Sequence, residues 1–203
     1  MPDPSQRDQL PFFKDPKVKI SIWTIIKDSI GKELSKISVP VYFNAPLGIL
    51  QSTAHPMEFL DILDKAAVEE DAIKRMAIAG LYCAIQITTL EKFPAKPFNP
   101  LLGETYELVV PGKFTYLSEQ VCHHPPVTAY ENRGESGYLR YSTIRIKTSF
   151  SRGALSFSNM YKEYFEFPKY GEKFEFIPAS KSIHNLIIGS PYLEVSGKAY
   201  LIN

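Results

Sequence analysis

The sequence is poor in several features that would each have indicated a class of protein. Its only cysteines are Cys83 and Cys122 among 203 residues, too few for the disulfide framework of a small secreted domain. No uninterrupted apolar run reaches the roughly 18 residues that a membrane-spanning helix needs. The formal net charge is +1, so the chain has no overall field for binding nucleic acid. With no signal peptide ahead of the cysteines, we expect a reduced, cytoplasmic protein whose anion sites are local.

What the chain does contain favours a single folded domain. At 203 residues, 44% of them apolar, it can bury a sizeable core. Its 16 prolines, 13 phenylalanines and 12 tyrosines are typical of many short strands and turns. There is no internal repeat, low-complexity stretch or long run of charge.

Apolar spacing predicts helices in the first half of the chain. Within Ser21–Ile37 one apolar stripe has a spacing of three or four residues and consists of Trp23, Ile26, Ile30, Leu34 and Ile37. Pro56 suits the first turn of a second helix, and a third is predicted over roughly Asp71–Thr88. We interpret the second and third helices as scaffold that packs against a sheet.

From Gly103 onward the apolar period changes to two, which predicts strands. The alternation begins at Thr105, and Pro111-Gly112 turns the chain into a strand at Lys113–Ser118. Further strands are predicted at Val127–Tyr130, Tyr138–Phe150, Leu155–Ser158, Tyr164–Phe167, Lys173–Ile177, Ile183–Ile188, Tyr192–Val195 and Lys198–Ile202. Short consecutive strands of this kind indicate an antiparallel meander that closes towards a barrel, whose interior can hold a small apolar ligand.

The most unusual stretch is Glu119-Gln-Val-Cys-His-His-Pro-Pro126, preceded by Lys96-Pro-Phe-Asn-Pro100. A proline fixes its own φ, removes a donor and pushes the preceding residue towards extended geometry. We therefore expect His123 and His124 to be extended, with both prolines at a strand end or a sheet rim. Two imidazoles held at a rim are placed to meet a ligand.

Other interpretations of this stretch remain. A histidine is often only a satisfied surface or core residue. A metal site is disfavoured because adjacent residues on an extended chain point to opposite faces, and no CxxC or HExxH spacing occurs. Cys122 as a histidine-activated nucleophile is disfavoured for the same reason, and the sequence shows no orienting Asn or Asp. We therefore predict no metal site and no catalytic residue.

The same stretch resembles the signature of the oxysterol-binding protein family, whose usual form has serine where this chain has Cys122. The segments Lys96–Glu107, Gly31–Val41 and His184–Gly189 resemble further blocks of that family. The resemblance runs from about Ser21 to the last residue.

The resemblance implies an α+β, mainly β fold. In this fold an N-terminal lid and helices precede an antiparallel meander that forms part of an incomplete β-barrel around a lipid tunnel. Residues 1–203 would be one lipid-binding domain, with a lid at 1–20, a helical region at 21–90 and barrel strands at 96–203. The lid and tunnel lining would include Phe12, Phe13, Ile20, Ile22 and Trp23. The domain would be truncated at Asn203, leaving an open strand edge through which the chain could self-associate.

The resemblance also implies a function without a cofactor, an enzymatic step or a nucleic-acid partner. Such a domain shelters a sterol or phospholipid and exchanges it for phosphatidylinositol 4-phosphate at membrane surfaces, including membrane contact sites. Lys96, His123 and His124 match the headgroup-binding residues of the family, and Asn99 is a weaker candidate in the Lys96 block. The alternative is a lipid sensor or scaffold module that binds lipid or a protein partner without catalysing transfer.

Overall fold

The structure, a computed structural model, describes residues 44–86, 96–151, 153–185, 188–189 and 192–203. The described chain begins with one short strand, continues through short helices and then forms antiparallel sheets. The predicted helix at Ser21–Ile37 and the predicted lid at 1–20 lie outside the described residues, as do all five of the predicted lid and tunnel-lining residues.

The helices lie where the apolar spacing indicates scaffold. They are α1 (Ile49–Ser52), α2 (Asp61–Val68) and α3 (Ala72–Ile85), with 3₁₀ turns at His55–Phe59 and Pro168–Tyr170. The second predicted helix is therefore divided: Pro56 lies in the first turn of a 3₁₀ segment, and α2 follows it. The Asp71 carboxylate begins α3 by accepting hydrogen bonds from the amides of Ile73 and Lys74, both at 2.9 Å.

The strands account for most of the remaining chain. They are β1 (Asn44–Gly48), β2 (Lys96–Phe98), β3 (Thr105–Val110), β4 (Phe114–His123), β5 (Pro126–Gly134), β6 (Leu139–Ile144), β7 (Ile146–Ser151), β8 (Ala154–Asn159), β9 (Glu163–Phe167), β10 (Glu172–Ile177), β11 (Ser180–His184), β12 (Tyr192–Ser196) and β13 (Tyr200–Ile202). The Lys113–Ser118 prediction ended too early, because β4 continues through the polar motif to His123.

Two antiparallel sheets carry these strands. The larger has seven strands in the order β13-β10-β9-β6-β5-β4-β3, and the smaller has four in the order β12-β11-β8-β7. A two-stranded parallel sheet joins β1 to β2. Within the described residues neither antiparallel sheet closes on itself. The predicted mainly β fold, with an antiparallel meander forming part of an open barrel, is confirmed.

The prediction of a single strand at Tyr138–Phe150 was wrong. It is two strands, β6 and β7, separated at Arg145 and belonging to different sheets. The amide of Arg145 donates to the Asn159 side chain at 3.1 Å, so the crossing point is tied to the end of β8. The chain thus passes from the seven-stranded sheet to the four-stranded sheet without a loop, and the sheets face a common interior.

The core lies between α2, α3 and the inner face of the seven-stranded sheet. On β4 the buried positions alternate with exposed ones, as expected of a strand with one face covered. Aromatic side chains fill this region, and the Tyr82 ring on α3 meets the Phe165 ring on β9 edge to face at 5.9 Å. Among the described residues, the helices and the inner face of this sheet thus share one aromatic core.

Candidate functional site

The histidine pair (His123 and His124) lies at the rim of the seven-stranded sheet. Strand β4 ends at His123 and β5 begins at Pro126, and these two residues are Cα partners across the hairpin. His124 and Pro125 form the turn between the strands, and the peptide bond between them is cis. The prediction that the prolines mark a strand end at a sheet rim is confirmed.

The two imidazoles lie together rather than on opposite faces. Their ring centroids are 4.7 Å apart and the rings meet edge to face, at 66°. The predicted opposite orientation is wrong because His124 belongs to the turn, whereas the alternation of faces holds only along an extended strand. The hairpin thus presents two titratable rings as one group.

One nitrogen of the histidine pair is buried without a partner. The Nδ1 atom of His123 has no hydrogen bond to any described residue. Most buried polar atoms in folded proteins have at least one hydrogen-bond partner, because an unpaired one costs free energy. The rim therefore carries an imidazole nitrogen whose hydrogen-bonding capacity is unmet by the described residues.

A buried polar network holds the strand end that carries the histidine pair. Gln120 is 1% exposed, and its side chain accepts a 2.6 Å hydrogen bond from the Thr128 hydroxyl and donates at 3.0 Å to the Cys122 carbonyl. The pairing of β4 with β5 shifts register between Gln120 and Cys122, so Val121 bulges outwards and is exposed. Bulges are frequent at sheet rims and beside sites, where they redirect side chains.

The loop at the end of the Lys96 block is hydrogen-bonded to the strand that carries the histidine motif. The rim loop (residues 99–104) follows β2, and the Gly103 amide donates to the Gln120 carbonyl at 2.9 Å. In return the Gln120 amide donates to the Glu104 carbonyl at 3.0 Å. These backbone bonds attach the block to β4 just before the histidine pair, although the two motifs are separate in the sequence.

Lys96 and Asn99 differ in their surroundings. Lys96 begins β2, where it is paired with Asn44 of β1, and it is half-buried. Burial lowers the pKa of its ammonium group. Asn99 lies in the rim loop and is exposed. That these residues join the histidine pair in binding a headgroup stays a prediction.

A cavity of about 590 Å³, here called the inter-sheet cavity, separates the two antiparallel sheets. Tyr130 and Phe176 line it from the larger sheet, Phe157 and Val195 from the smaller one, and Gly80 from α3. Pro97, the residue after Lys96, also lines the cavity, so the Lys96 block lies beside it. Its size and largely apolar lining suit a small apolar molecule.

The wall of the inter-sheet cavity also contains charged residues that the sequence analysis missed. Arg140 is 2% exposed, and its Nε donates to the Glu163 carboxylate while Nη2 donates to the Tyr130 hydroxyl at 3.2 Å. Burial lowers the pKa of the Arg140 guanidinium, but attraction to Glu163 and the neighbouring tyrosines outweighs it and holds the pKa well above its ordinary value. Lys181 on β11 lines the same cavity.

Neither cysteine forms a disulfide. Cys83 is buried in α3, and burial raises the pKa of its thiol, which makes the reactive thiolate scarce. Cys122 is half-buried on β4. In the described part of the chain no group of three or more His, Cys, Asp or Glu side chains is placed to hold a metal ion. Among the described residues no helix is long and apolar enough to span a membrane.

The chain is similar in sequence to a known protein family and to several of its members. A family model described as Oxysterol-binding protein matches residues 21–203. Oxysterol-binding protein-related protein 7 of Homo sapiens is 34% identical over 202 residues, which cover 98% of this chain and 24% of that protein. Oxysterol-binding protein-related protein 2 of Homo sapiens is 33% identical over 199 residues, covering 97% of this chain and 42% of that protein. The chain spans less than half the length of these relatives.

Solved structures share the fold. The Osh1 ORD domain in complex with cholesterol is similar with a TM-score of 0.85 at 27% identity, over 97% of this chain and 48% of that one. The Osh3 ORD of Saccharomyces cerevisiae in complex with PI(4)P is similar with a TM-score of 0.74 at 29% identity, over 90% of this chain and 49% of that one. The chain thus corresponds to about half of each solved domain.

Proposed function

Because the chain belongs to the oxysterol-binding protein family, we propose that it shelters a sterol or phospholipid in the inter-sheet cavity and exchanges it for phosphatidylinositol 4-phosphate at membrane surfaces. One observation carries the proposal: the Lys96 block and the histidine pair are tied to one rim, beside a largely apolar cavity. The similarity to one structure holding cholesterol and another holding PI(4)P supports both halves of the exchange.

The rim offers the chemistry that a phosphate headgroup requires. A phosphate monoester carries about 1.5 to 2 negative charges at neutral pH and has strong acceptor oxygens. Lys96 supplies a cation, and the histidine pair supplies imidazole nitrogens, among them the unpartnered Nδ1 of His123. Charge-assisted hydrogen bonds of this kind are stronger than neutral ones. A bound phosphate also favours the charged Lys96 that burial disfavours, and Asn99 adds an exposed amide nearby.

The inter-sheet cavity offers the opposite environment to the apolar body of the lipid. Burying apolar surface is worth about 25 cal/mol per Å² relative to water. A lipid taken from a bilayer gains little net free energy from this term, because the bilayer is already apolar. Transfer between cavity and membrane is then nearly balanced, and it needs no catalytic residue. We therefore propose that the chain is not an enzyme, and that it acts peripherally at cytoplasmic membrane surfaces and contact sites.

A lipid sensor or scaffold is the alternative function. The outer edges of the larger sheet, β3 and β13, have no further strand paired to them within the described residues. The chain also corresponds to only about half of the solved domains. Open strand edges can bind a partner chain or a second copy. A chain of this kind would bind lipid and hold a partner without moving cargo.

Extraction from liposomes tests the binding part of the proposal. Incubation with liposomes that contain either phosphatidylinositol 4-phosphate or cholesterol, followed by sedimentation of the liposomes, should leave each lipid in the supernatant with the protein. The same liposomes sedimented without protein provide the background. A folded chain that extracts neither lipid above background would contradict the proposal.

A further inference from the structure

The inter-sheet cavity contains a positive charge that the rim site does not use. Lys181 lies on β11 opposite Phe157 of β8 and Val195 of β12, and all three residues line the cavity. Residues directly opposite one another on antiparallel strands lie on the same face of a sheet. The Lys181 side chain is therefore flanked by apolar side chains on the inner face of the four-stranded sheet.

Lys181 makes no hydrogen bond or ion pair to any described residue. Glu163 attracts it only as a charge at longer range. The Glu163 carboxylate is already occupied: one oxygen accepts from Arg140, and the other accepts from the Gln86 amide at 3.4 Å. The wall formed by Arg140, Glu163 and Lys181 is thus left with one unmatched positive charge.

A counter-charge would stabilise the partly buried Lys181 ammonium, which is flanked by apolar side chains. Burial lowers the pKa of Lys181, and the longer-range attraction to Glu163 does not offset this loss of water. A ligand carboxylate would supply both a charge and acceptor oxygens, forming a short charge-assisted hydrogen bond. A neutral hydroxyl would supply an acceptor but leave the charge unmatched. The geometry therefore favours an acid over an alcohol at this position.

We propose that Lys181 binds the carboxylate of a lipid acid, a molecule with one carboxylate on an apolar body, within the inter-sheet cavity. Phe157 and Val195 beside Lys181, with Phe176 across the cavity, provide apolar contacts for that body. A volume of about 590 Å³ lies within the range of cavities that hold small-molecule ligands. This inference rests on the proposed function, because it requires that the cavity receives a lipid. It adds a class of ligand and a polar anchor that is distinct from the rim.

Equilibrium binding of two probes that differ only in their polar end tests this anchor. Oleate carries a carboxylate and oleyl alcohol a hydroxyl on the same chain. Because the carboxylate adds a full negative charge to the hydrogen bond, the parent protein should bind oleate at least about tenfold more tightly than oleyl alcohol. The Lys181→Met variant should lose most of this preference, because its affinity for oleate falls much further than its affinity for oleyl alcohol.

Two further proteins control for folding and for surface charge. Lys147→Met makes the same substitution at an exposed position on β7 of the same sheet, outside the cavity, and should retain the preference. Lys181→Arg keeps the positive charge, so this variant should retain most of the preference for oleate. The preference for oleate over oleyl alcohol is measured on the parent protein, so the inference can still be tested if Lys181→Met misfolds. Lithocholate, a steroid acid, shows whether the apolar body is a fatty chain or a ring system.

The outcomes separate this inference from the proposed function. If cholesterol is extracted but oleate and lithocholate bind no more tightly than oleyl alcohol, Lys181 does not bind acids while the proposed function stands. Equal oleate affinity in the parent and a folded Lys181→Met variant would likewise overturn the assignment. If neither cholesterol nor either acid binds, the cavity does not receive lipid and both proposals fail.

Discussion

Replacing Glu163 with alanine should lower the free energy of unfolding by about 3–5 kcal/mol, measured by urea denaturation. Arg140 and Glu163 are 2% and 6% exposed, so neither charge can turn to water when its partner is lost. The variant leaves the guanidinium with the Tyr130 hydroxyl and the faces of Tyr82 and Tyr130, whose ring centroids lie 5.6 and 4.8 Å away. None of these groups supplies a full negative charge.

Two controls determine whether the loss comes from the unpaired charge. Replacing both partners, Arg140→Met with Glu163→Leu, should recover most of the stability, because apolar replacements of a buried ion pair are often neutral. Glu131→Gln removes the carboxylate of the exposed pair with Arg133 and should leave the unfolding transition unchanged. A Glu163→Ala variant that unfolds at the same urea concentration as the parent would show that the buried pair is not needed for stability.

The variant His123→Ala/His124→Ala should lose phosphatidylinositol 4-phosphate extraction. Each hydrogen bond to the charged phosphate contributes about 1.5–3 kcal/mol, so losing two predicts a loss of affinity of about 100-fold or more. His123 is the last residue of β4 and His124 lies in the turn after it, both outside the aromatic core, so the fold should persist. Extraction by parent and variant at equal protein concentration provides the measurement.

His184→Ala is the matched control for the histidine pair. His184 ends β11, where its Nε2 lies 2.8 Å from the Glu194 carboxylate and its ring stacks on Tyr192 at 5.1 Å. It is not part of the rim that carries His123 and His124, so its variant should extract the lipid as the parent does. Equal loss in both variants would indicate a general defect, and retained extraction by a folded double variant would remove the histidine pair from the headgroup site.

The rim could be predicted from the sequence because prolines act locally. Pro125 and Pro126 restrict their own backbone and that of the residue before them, so the position of the strand end could be predicted without tertiary information. The approach of the two imidazoles could not be predicted in this way. It depends on His124 lying in the turn rather than on the strand, and the Pro-Pro sequence alone did not distinguish these positions.

The charged wall of the cavity required tertiary information. Period-two alternation assigns residues to faces, but it does not say which strands share a sheet or which faces meet. Arg140 and Glu163 lie on neighbouring strands β6 and β9, while Lys181 lies on the other sheet. The clearest available signal was Arg140 itself, a charged residue in register with buried Tyr138 and Ser142 on an alternating strand. Reading Tyr138–Phe150 as one strand concealed the crossing that brings the sheets together.

Under the proposed function, the rim and the inter-sheet cavity would serve two dissimilar parts of a lipid. The rim carries the histidine pair, with one unpartnered imidazole nitrogen, and the cavity has a largely apolar lining. Backbone bonds between the rim loop and Gln120 join the Lys96 block to β4, and Pro97 of that block lines the cavity. Exchange rather than simple binding is therefore the central claim.

Sterol movement from donor to acceptor liposomes tests that claim most directly. Donor liposomes would contain a fluorescent sterol, and acceptor liposomes would be prepared with and without phosphatidylinositol 4-phosphate. We predict that the chain accelerates sterol movement over the protein-free rate, and that phosphatidylinositol 4-phosphate in the acceptor accelerates it further. A folded chain that binds both lipids but moves sterol no faster than liposomes alone would contradict the carrier account and favour the sensor or scaffold module.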